Sequence, residues 1–358
     1  MSYSILDDPG ILKQYDREDM LARIREMPSL CQLAWHLASD FDIPAEYLDI
    51  DKVVILGMGG SAIGGDLVSN LLLNEASLPI SICRGYHLPA YVDDKTLLIA
   101  SSYSGNTEET LSAFRQSLST KAKKIVITTG GRLKFLAEEY NIPLFHFDYR
   151  AQPRAALPFS MLPILCFLQK LKLIGDKSEE VYDATSAMRE MGNVIAEITP
   201  LTKNPAKQLA QFIYGNLPVV YGAGIVSEVA HRWKTQVNEN GKAWCFHEVF
   251  PELNHNAVVG YQFPEKLKGN IVVVMLNSKL LPARIKLRYE VTCRILEKEG
   301  IKYRLIDGIG NSHLAQIMSL VLFGDYTSYY LAILYRADPS PVKAIDYLKQ
   351  SLAKEQYR

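Results

Sequence analysis

VVILGMGG (Val53–Gly60) is a short β-branched apolar run that ends in glycines. Such a run is the mark of a buried strand feeding a tight turn. Similar runs follow it: PISICR, with its core at 80–84, TLLIASS (96–102), KIVITTG (124–130) and PLFHFD (143–148). Helical stretches such as Glu108–Leu118 and Leu133–Tyr140 separate them, and residues 11–40 upstream read as an amphipathic helical lead-in. Strands alternating with helices at this spacing predict an α/β fold with a parallel, doubly wound sheet flanked by helices.

The pattern then pauses. Residues from about 155 to 211 read as a mainly helical connector carrying several prolines, including Pro158, Pro163, Pro200 and Pro205. The strand–glycine–helix pattern returns at LPVVYGAG (Leu217–Gly224), with further strands expected at NIVVVML (270–276) and KYRLIDG (302–308). Helices are expected near Val226–Val237 and Ala283–Glu299, as a long apolar one at His313–Arg336, and as an amphipathic one at Val342–Leu352. The likeness of Val53–Gly59 to Val219–Gly224 predicts two structural copies. The expected division is 1–153, 154–211 and 212–358, a first domain, a helical connector and a second domain with C-terminal helices.

The 358-residue chain has 39 basic and 39 acidic side chains, so its net charge is zero. That speaks against a nucleic acid as main partner, because such binding draws on many phosphate-neutralising cations. Its five cysteines are scattered with no CxxC pair, as buried thiols in a reducing compartment would be. The N-terminus lacks a signal-peptide pattern, and the most apolar run, Ala155–Leu168, is shorter than the roughly 20 residues a bilayer needs. It reads as a buried helix. A cytoplasmic enzyme with no membrane partner is the expectation.

Three loops carry chemistry. SSYSGNTEET (Ser101–Thr110) leaves an apolar strand and enters a helix opened by Glu108 and Glu109. Its hydroxyls (Ser101, Ser102, Ser104, Thr107), with Gly105, Asn106 and a helix N-terminus, suit a phosphate monoester. The plainer alternative is that Ser104 or Thr107 is an N-cap with Glu109 in a capping role. GMGGSAIGG (Gly57–Gly65) follows the first strand and fits G-x-G-x-x-A at Gly57, Gly59 and Ala62, which raises a dinucleotide. The next strand ends in Cys83 and Arg84, with no carboxylate for a ribose, although Arg84 could take a 2′-phosphate. Ser61 at the turn favours a sugar phosphate instead.

The third loop, NENGKAWCFHEVFPELNHN (Asn238–Asn256), gathers Glu239, His247, Glu248, Glu252 and His255. Asn240-Gly241 is a helix-stop signal that puts Glu239 at a helix C-terminus, where the dipole disfavours a carboxylate and makes it a better base. A metal site is the rival reading of the same residues, though no short ligand motif is present.

Taken together, GMGGSAIGGDL, SYSGNTEET, PRAALPF, NENGK…ELNHN and DPSPVKAIDYLK span most of the chain and resemble the sugar isomerase (SIS) superfamily. Within it, they look like the bifunctional phosphoglucose/phosphomannose isomerases of archaea and bacteria. The resemblance implies two SIS-type domains and an aldose–ketose isomerase acting on glucose 6-phosphate or mannose 6-phosphate, with no cofactor and no metal. It implies that Ser61, Ser102, Ser104 and Thr107 bind the substrate phosphate, with Gly60 a further substrate contact. It implies that Arg154 stabilises the enediolate, Glu239 moves the proton between C1 and C2, and His255 assists ring opening from the neighbouring subunit of a homodimer. Lys349 corresponds to a C-terminal lysine that helps open the ring, with Lys343 nearby as the other candidate. A phosphosugar sensor without turnover, or an isomerase of another sugar phosphate, are the alternatives.

Overall fold

The computed structural model describes residues 4–355. The helical lead-in consists of three helices: α1 (Pro9–Tyr15), α2 (Met20–Arg25) and α3 (Met27–Ser39). The break has a local cause. The Asp16 carboxylate accepts from the Met20 and Leu21 amides, and Asp19 turns left-handed with φ 58°.

The first α/β unit follows as β1 (Lys52–Leu56), α4 (Gly59–Leu71), β2 (Ile80–Cys83), β3 (Thr96–Ser101), α5 (Glu108–Ser117), β4 (Lys123–Thr128), α6 (Gly131–Glu139) and β5 (Leu144–His146). Its five strands lie in the order β2-β1-β3-β4-β5, all parallel. Alternate residues face opposite cores, as the strand pleat requires. Val53, Ile55, Leu97 and Ile99 face one core, and Val54, Leu56, Leu98 and Ala100 face the other. Burial on both faces explains why these strands read as continuous apolar runs.

Three helices connect the two sheets: α7 (Leu157–Lys170), α8 (Ser178–Ile195) and α9 (Pro205–Ile213). The apolar run expected as a buried helix is α7, which tolerates Pro163 in its interior. The second unit runs β6 (Leu217–Ala223), α10 (Ser227–Glu239), β7 (Phe246–Phe250), α11 (Glu265–Lys268), β8 (Ile271–Asn277), α12 (Ala283–Lys298) and β9 (Lys302–Asp307). Its order, β7-β6-β8-β9, is again all parallel and matches β2-β1-β3-β4 strand for strand. The glycines at equivalent turns agree too: Gly59 has φ 47° and Gly224 has φ 49°.

Strand β7 lies within Asn238–Asn256, which the sequence suggests is one loop. FHEVF pairs along β6, from Val219 opposite Phe246 to Ala223 opposite Phe250. As an edge strand half open to solvent it carries His247 and Glu248, so its apolar signal is diluted.

Helix α13 (His313–Leu334) is the one helix among the described residues long and apolar enough to cross a bilayer. It is longer than the Ala155–Leu168 run on which the sequence analysis weighs that question. Its side chains are buried nearly throughout, packed on α8, α9 and α10, so its apolar surface is the protein's own core. The amphipathic α14 (Lys343–Glu355) ends the described chain and buries no residue.

Candidate active site

The first sheet reverses its direction of winding between β1 and β3, and in an open α/β sheet the crevice beyond the carboxyl ends of such strands is where ligands bind. Both hydroxyl-bearing turns open there. Ser61 lies in the first turn of α4 and accepts a hydrogen bond from the Tyr103 amide at 3.2 Å. Ser102, the first residue after β3, shares a 3.0 Å hydrogen bond with Thr107. Ser104 is exposed and accepts from the Asn106 amide at 3.2 Å. Accepting from the backbone leaves the hydroxyl protons of Ser61 and Ser104 available to donate to an anion.

The capping alternative does not describe this loop. Thr107 occupies the N-cap of α5, yet its side chain makes no capping bond, and α4 and α6 likewise start without a side-chain cap. The starts of α4 and α5 therefore present backbone N–H groups and positive dipole ends beside the crevice, whereas at α6 the Arg132 and Leu133 amides already donate to Asn106 Oδ1 and the Gly105 carbonyl. Gly105 (φ 66°) allows the loop to fold this tightly, since a Cβ there would meet the Gly130 carbonyl oxygen at 1.8 Å.

Gly60 brings the Ser61 turn against the backbone of Arg154. A Cβ at Gly60 would come 3.0 Å from the Pro153 oxygen and 3.2 Å from Cα of Arg154. Arg154 itself is buried and almost fully engaged. Its Nε donates to Asn240 Oδ1 at 2.5 Å, one terminal nitrogen donates to the Pro339 and Ser340 carbonyls at 2.7 and 2.8 Å, and the other lies 3.4 Å from Glu239 Oε2. Burial works against the guanidinium charge, and Glu239 and Asp325 are the anions that support it.

Behind Arg154 stands a buried polar network. Asp325 on α13 accepts from Arg232 at 2.7 Å and from Gln236 at 2.8 Å, Arg232 donates to the Arg154 carbonyl, and Asn240 donates to Ser328. Burial raises the Asp325 pKa and Arg232 opposes that rise. Lone charges in such a place are costly, and the mutual pairing is what makes them tolerable.

Glu239 is the last residue of α10, with Asn240 as C-cap. It lines a cleft of about 530 Å³ together with Asn238, Lys242, Asp338, Pro341 and Lys343. Of the two C-terminal lysines, the structure brings Lys343 to this cleft. Lys349 lies farther along α14, exposed, and does not line it. His255 is the exposed last residue of a 3-10 turn, Glu252–His255, that is pinned by the buried Leu253, and it is not part of the lining either. Lys242 has no signal of its own in the sequence, where Asn240 reads as a helix stop only. Asn240 was visible as part of NENGK, but the carbonyls of Pro339 and Ser340 carry no side-chain signal.

The metal reading of Asn238–Asn256 finds no convergence of its residues. Among the described residues, the group close enough to hold an ion is Asp66, Glu228 and His231. It is internally paired, Arg84 with Asp66 and His231 with Glu228, while His247 stacks on His231 at 4.8 Å. Arg84, the residue a nucleotide 2′-phosphate would need, is thereby already engaged.

Residues 202–352 match the family described as bacterial phospho-glucose isomerase C-terminal SIS domain. A bifunctional phosphoglucose/phosphomannose isomerase from Caldicellulosiruptor bescii is 41% identical, covering 93% of this chain and 99% of its own length. One from Aquifex aeolicus is 35% identical over 87% of this chain and 94% of its own. Among solved structures, the C-terminal domain of glucosamine-fructose-6-phosphate aminotransferase from Francisella tularensis superimposes with a TM-score of 0.72. It covers 90% of this chain and 98% of its own at 17% identity, a likeness of fold.

Proposed function

Since the chain belongs to the bifunctional phosphoglucose/phosphomannose isomerase family, we propose that its crevice and the Glu239 cleft together perform that family's aldose–ketose isomerisation. The enzyme interconverts glucose 6-phosphate and mannose 6-phosphate with fructose 6-phosphate. The observation that carries the assignment of roles is the 3.4 Å approach of Arg154 to Glu239, one close backbone contact away from the Ser61 turn.

The hydroxyls of Ser61, Ser102, Ser104 and Thr107 and the helix starts around them hold the substrate phosphate. Gly60, having no side chain, lets the phosphate turn sit against Arg154. Glu239 removes the C2 proton of the open-chain aldose, which breaks the C2–H bond and leaves an enediolate. It returns the proton to C1 while the hydroxyl proton passes from O2 to O1, so the aldehyde becomes an alcohol and C2 a ketone. The terminal nitrogen of Arg154 that faces Glu239 is the one its anchors leave free to balance the developing charge. Because C2 is planar in the intermediate, rotation about C2–C3 exposes either face to the returning proton and joins the glucose and mannose series.

His255 acts from the neighbouring subunit of a homodimer, and a lysine of α14 helps open the ring. Two features support the dimer. Trp244, Val259 and Phe263, which flank the His255 turn in sequence, are 77%, 77% and 79% exposed. Helix α14 keeps Ile345, Leu348 and Leu352 exposed along an amphipathic helix. Large exposed apolar groups near a candidate site are the kind of surface that protein interfaces cover. The five free cysteines agree with a reducing cytoplasm.

A coupled assay on EDTA-treated protein tests the function, with each aldose phosphate supplied separately and fructose 6-phosphate followed. Turnover of both is expected. Phosphosugar binding with no turnover of either would favour a sensor.

A further inference from the structure

Lys242 lines the cleft with Glu239, and although it is exposed, its side chain is turned back onto the protein's own backbone rather than out into solvent. Its φ is 54°, in the left-handed region that disfavours any residue with a Cβ, while neighbouring Gly241 is not in that region. A Cβ at Gly241 would meet the Val237 oxygen at 2.8 Å, so glycine is needed there for room and the left-handed step falls on the lysine. Strain of this kind persists where the surroundings hold it and points to a role.

The ammonium is turned onto three backbone carbonyls: Glu239, Pro339 at 3.0 Å and Pro341 at 2.6 Å. An ammonium has three protons, and three acceptors receive them. Pro339 also accepts from Arg154. The two cations thus grip one segment, Asp338–Pro341, between them, Arg154 through Pro339 and Ser340 and Lys242 through Pro339 and Pro341. That segment is the link from α13 to α14, and α14 itself buries no residue.

We infer that Lys242 is a positioning residue: by tying the Asp338–Pro341 link to the end of the helix that carries Glu239, it sets where α14 and its lysines stand relative to the base. This rests on the isomerase assignment above for its consequence in turnover, but its structural content does not.

The left-handed backbone supplies the test. Lys242→Gly removes the clamp while relieving the backbone, so its folding stability should equal or exceed that of the wild type. Its turnover of glucose 6-phosphate should fall at least tenfold, and amide exchange across 338–348 should accelerate. Lys242→Arg, which keeps the cation and donors, should recover most of both. A Lys242→Gly protein with wild-type turnover and unchanged exchange would overturn the inference. If the wild-type protein isomerises neither sugar, the functional assignment fails separately, and exchange across 338–348 still decides whether Lys242 holds the link.

Discussion

Arg154 and Asn240 meet at 2.5 Å, Nε to Oδ1, although they are 86 residues apart and belong to different halves of the chain. This contact fixes the plane of the guanidinium, and Asn240 is in turn held by Ser328 of α13. Asn240, the residue after Glu239, is therefore a bracket for the arginine as well as the end of a helix.

Asn240→Ala strands a buried charged donor, and such losses cost about 1–3 kcal/mol. Urea unfolding should show a loss of that size, together with a fall in kcat that exceeds the change in KM. Stability within about 0.5 kcal/mol of wild type, the range of inert surface changes, would mean that Asn240 does not carry Arg154.

The phosphate loop should act on binding more than on chemistry. Thr107→Val removes one hydroxyl from the pair with Ser102. A hydrogen bond to a charged group is worth about 1.5–3 kcal/mol, so KM for glucose 6-phosphate should rise about tenfold or more with kcat nearly kept. An unchanged KM would remove Thr107 from the phosphate site.

Gly60→Ala places a methyl group 3.0 Å from the Pro153 oxygen and 3.2 Å from the Arg154 Cα. Backbone cannot yield as a flexible side chain can. The variant should show weakened binding of 5-phosphoarabinonate, an enediolate mimic, and reduced turnover together. Wild-type behaviour would show that the two loops are not packed as tightly as the structure has them.

Much of this was legible in the sequence. Strands β1, β3, β4, β6 and β8 are buried on both faces, so VVIL, LLIA, KIVIT, PVVY and IVVVML declare themselves. Strand β7 does not, because an edge strand half open to water can carry His247 and Glu248. The internal repeat held the missing signal, since α4 is followed by β2 and α10 should have an equivalent strand after it. In the candidate site, Arg154 and Glu239, both named from motifs with distinctive side chains, do come together, whereas His255 and Lys349 stand outside the cleft lining. Roles borne by carbonyls of Pro339 and Pro341, or by a left-handed Lys242, depend on backbone geometry that residue types do not encode.

Lys242 also gives a pH signature. Burial, and then Arg154, hold its pKa down at about 8, against a usual value of 10.5. Below pH 8 both folded and unfolded chains carry the proton. Between 8 and 10.5 the folded chain releases it while the unfolded chain keeps it, so this group's contribution to stability rises with pH. The difference in thermal stability between wild type and Lys242→Met, which keeps the left-handed step, should therefore shift steadily in favour of wild type from pH 7.5 to 10. A constant offset would mean the ammonium is not held down in the fold.

Isomerisation of glucose 6-phosphate in deuterated water, followed by NMR of the fructose 6-phosphate formed, bears on Glu239 itself. Wild-type protein should place solvent deuterium at C1 of the product. Glu239→Gln should form no product while still binding 5-phosphoarabinonate. Turnover by Glu239→Gln at the wild-type rate, with the same deuterium at C1, would contradict Glu239 as the group that moves the proton.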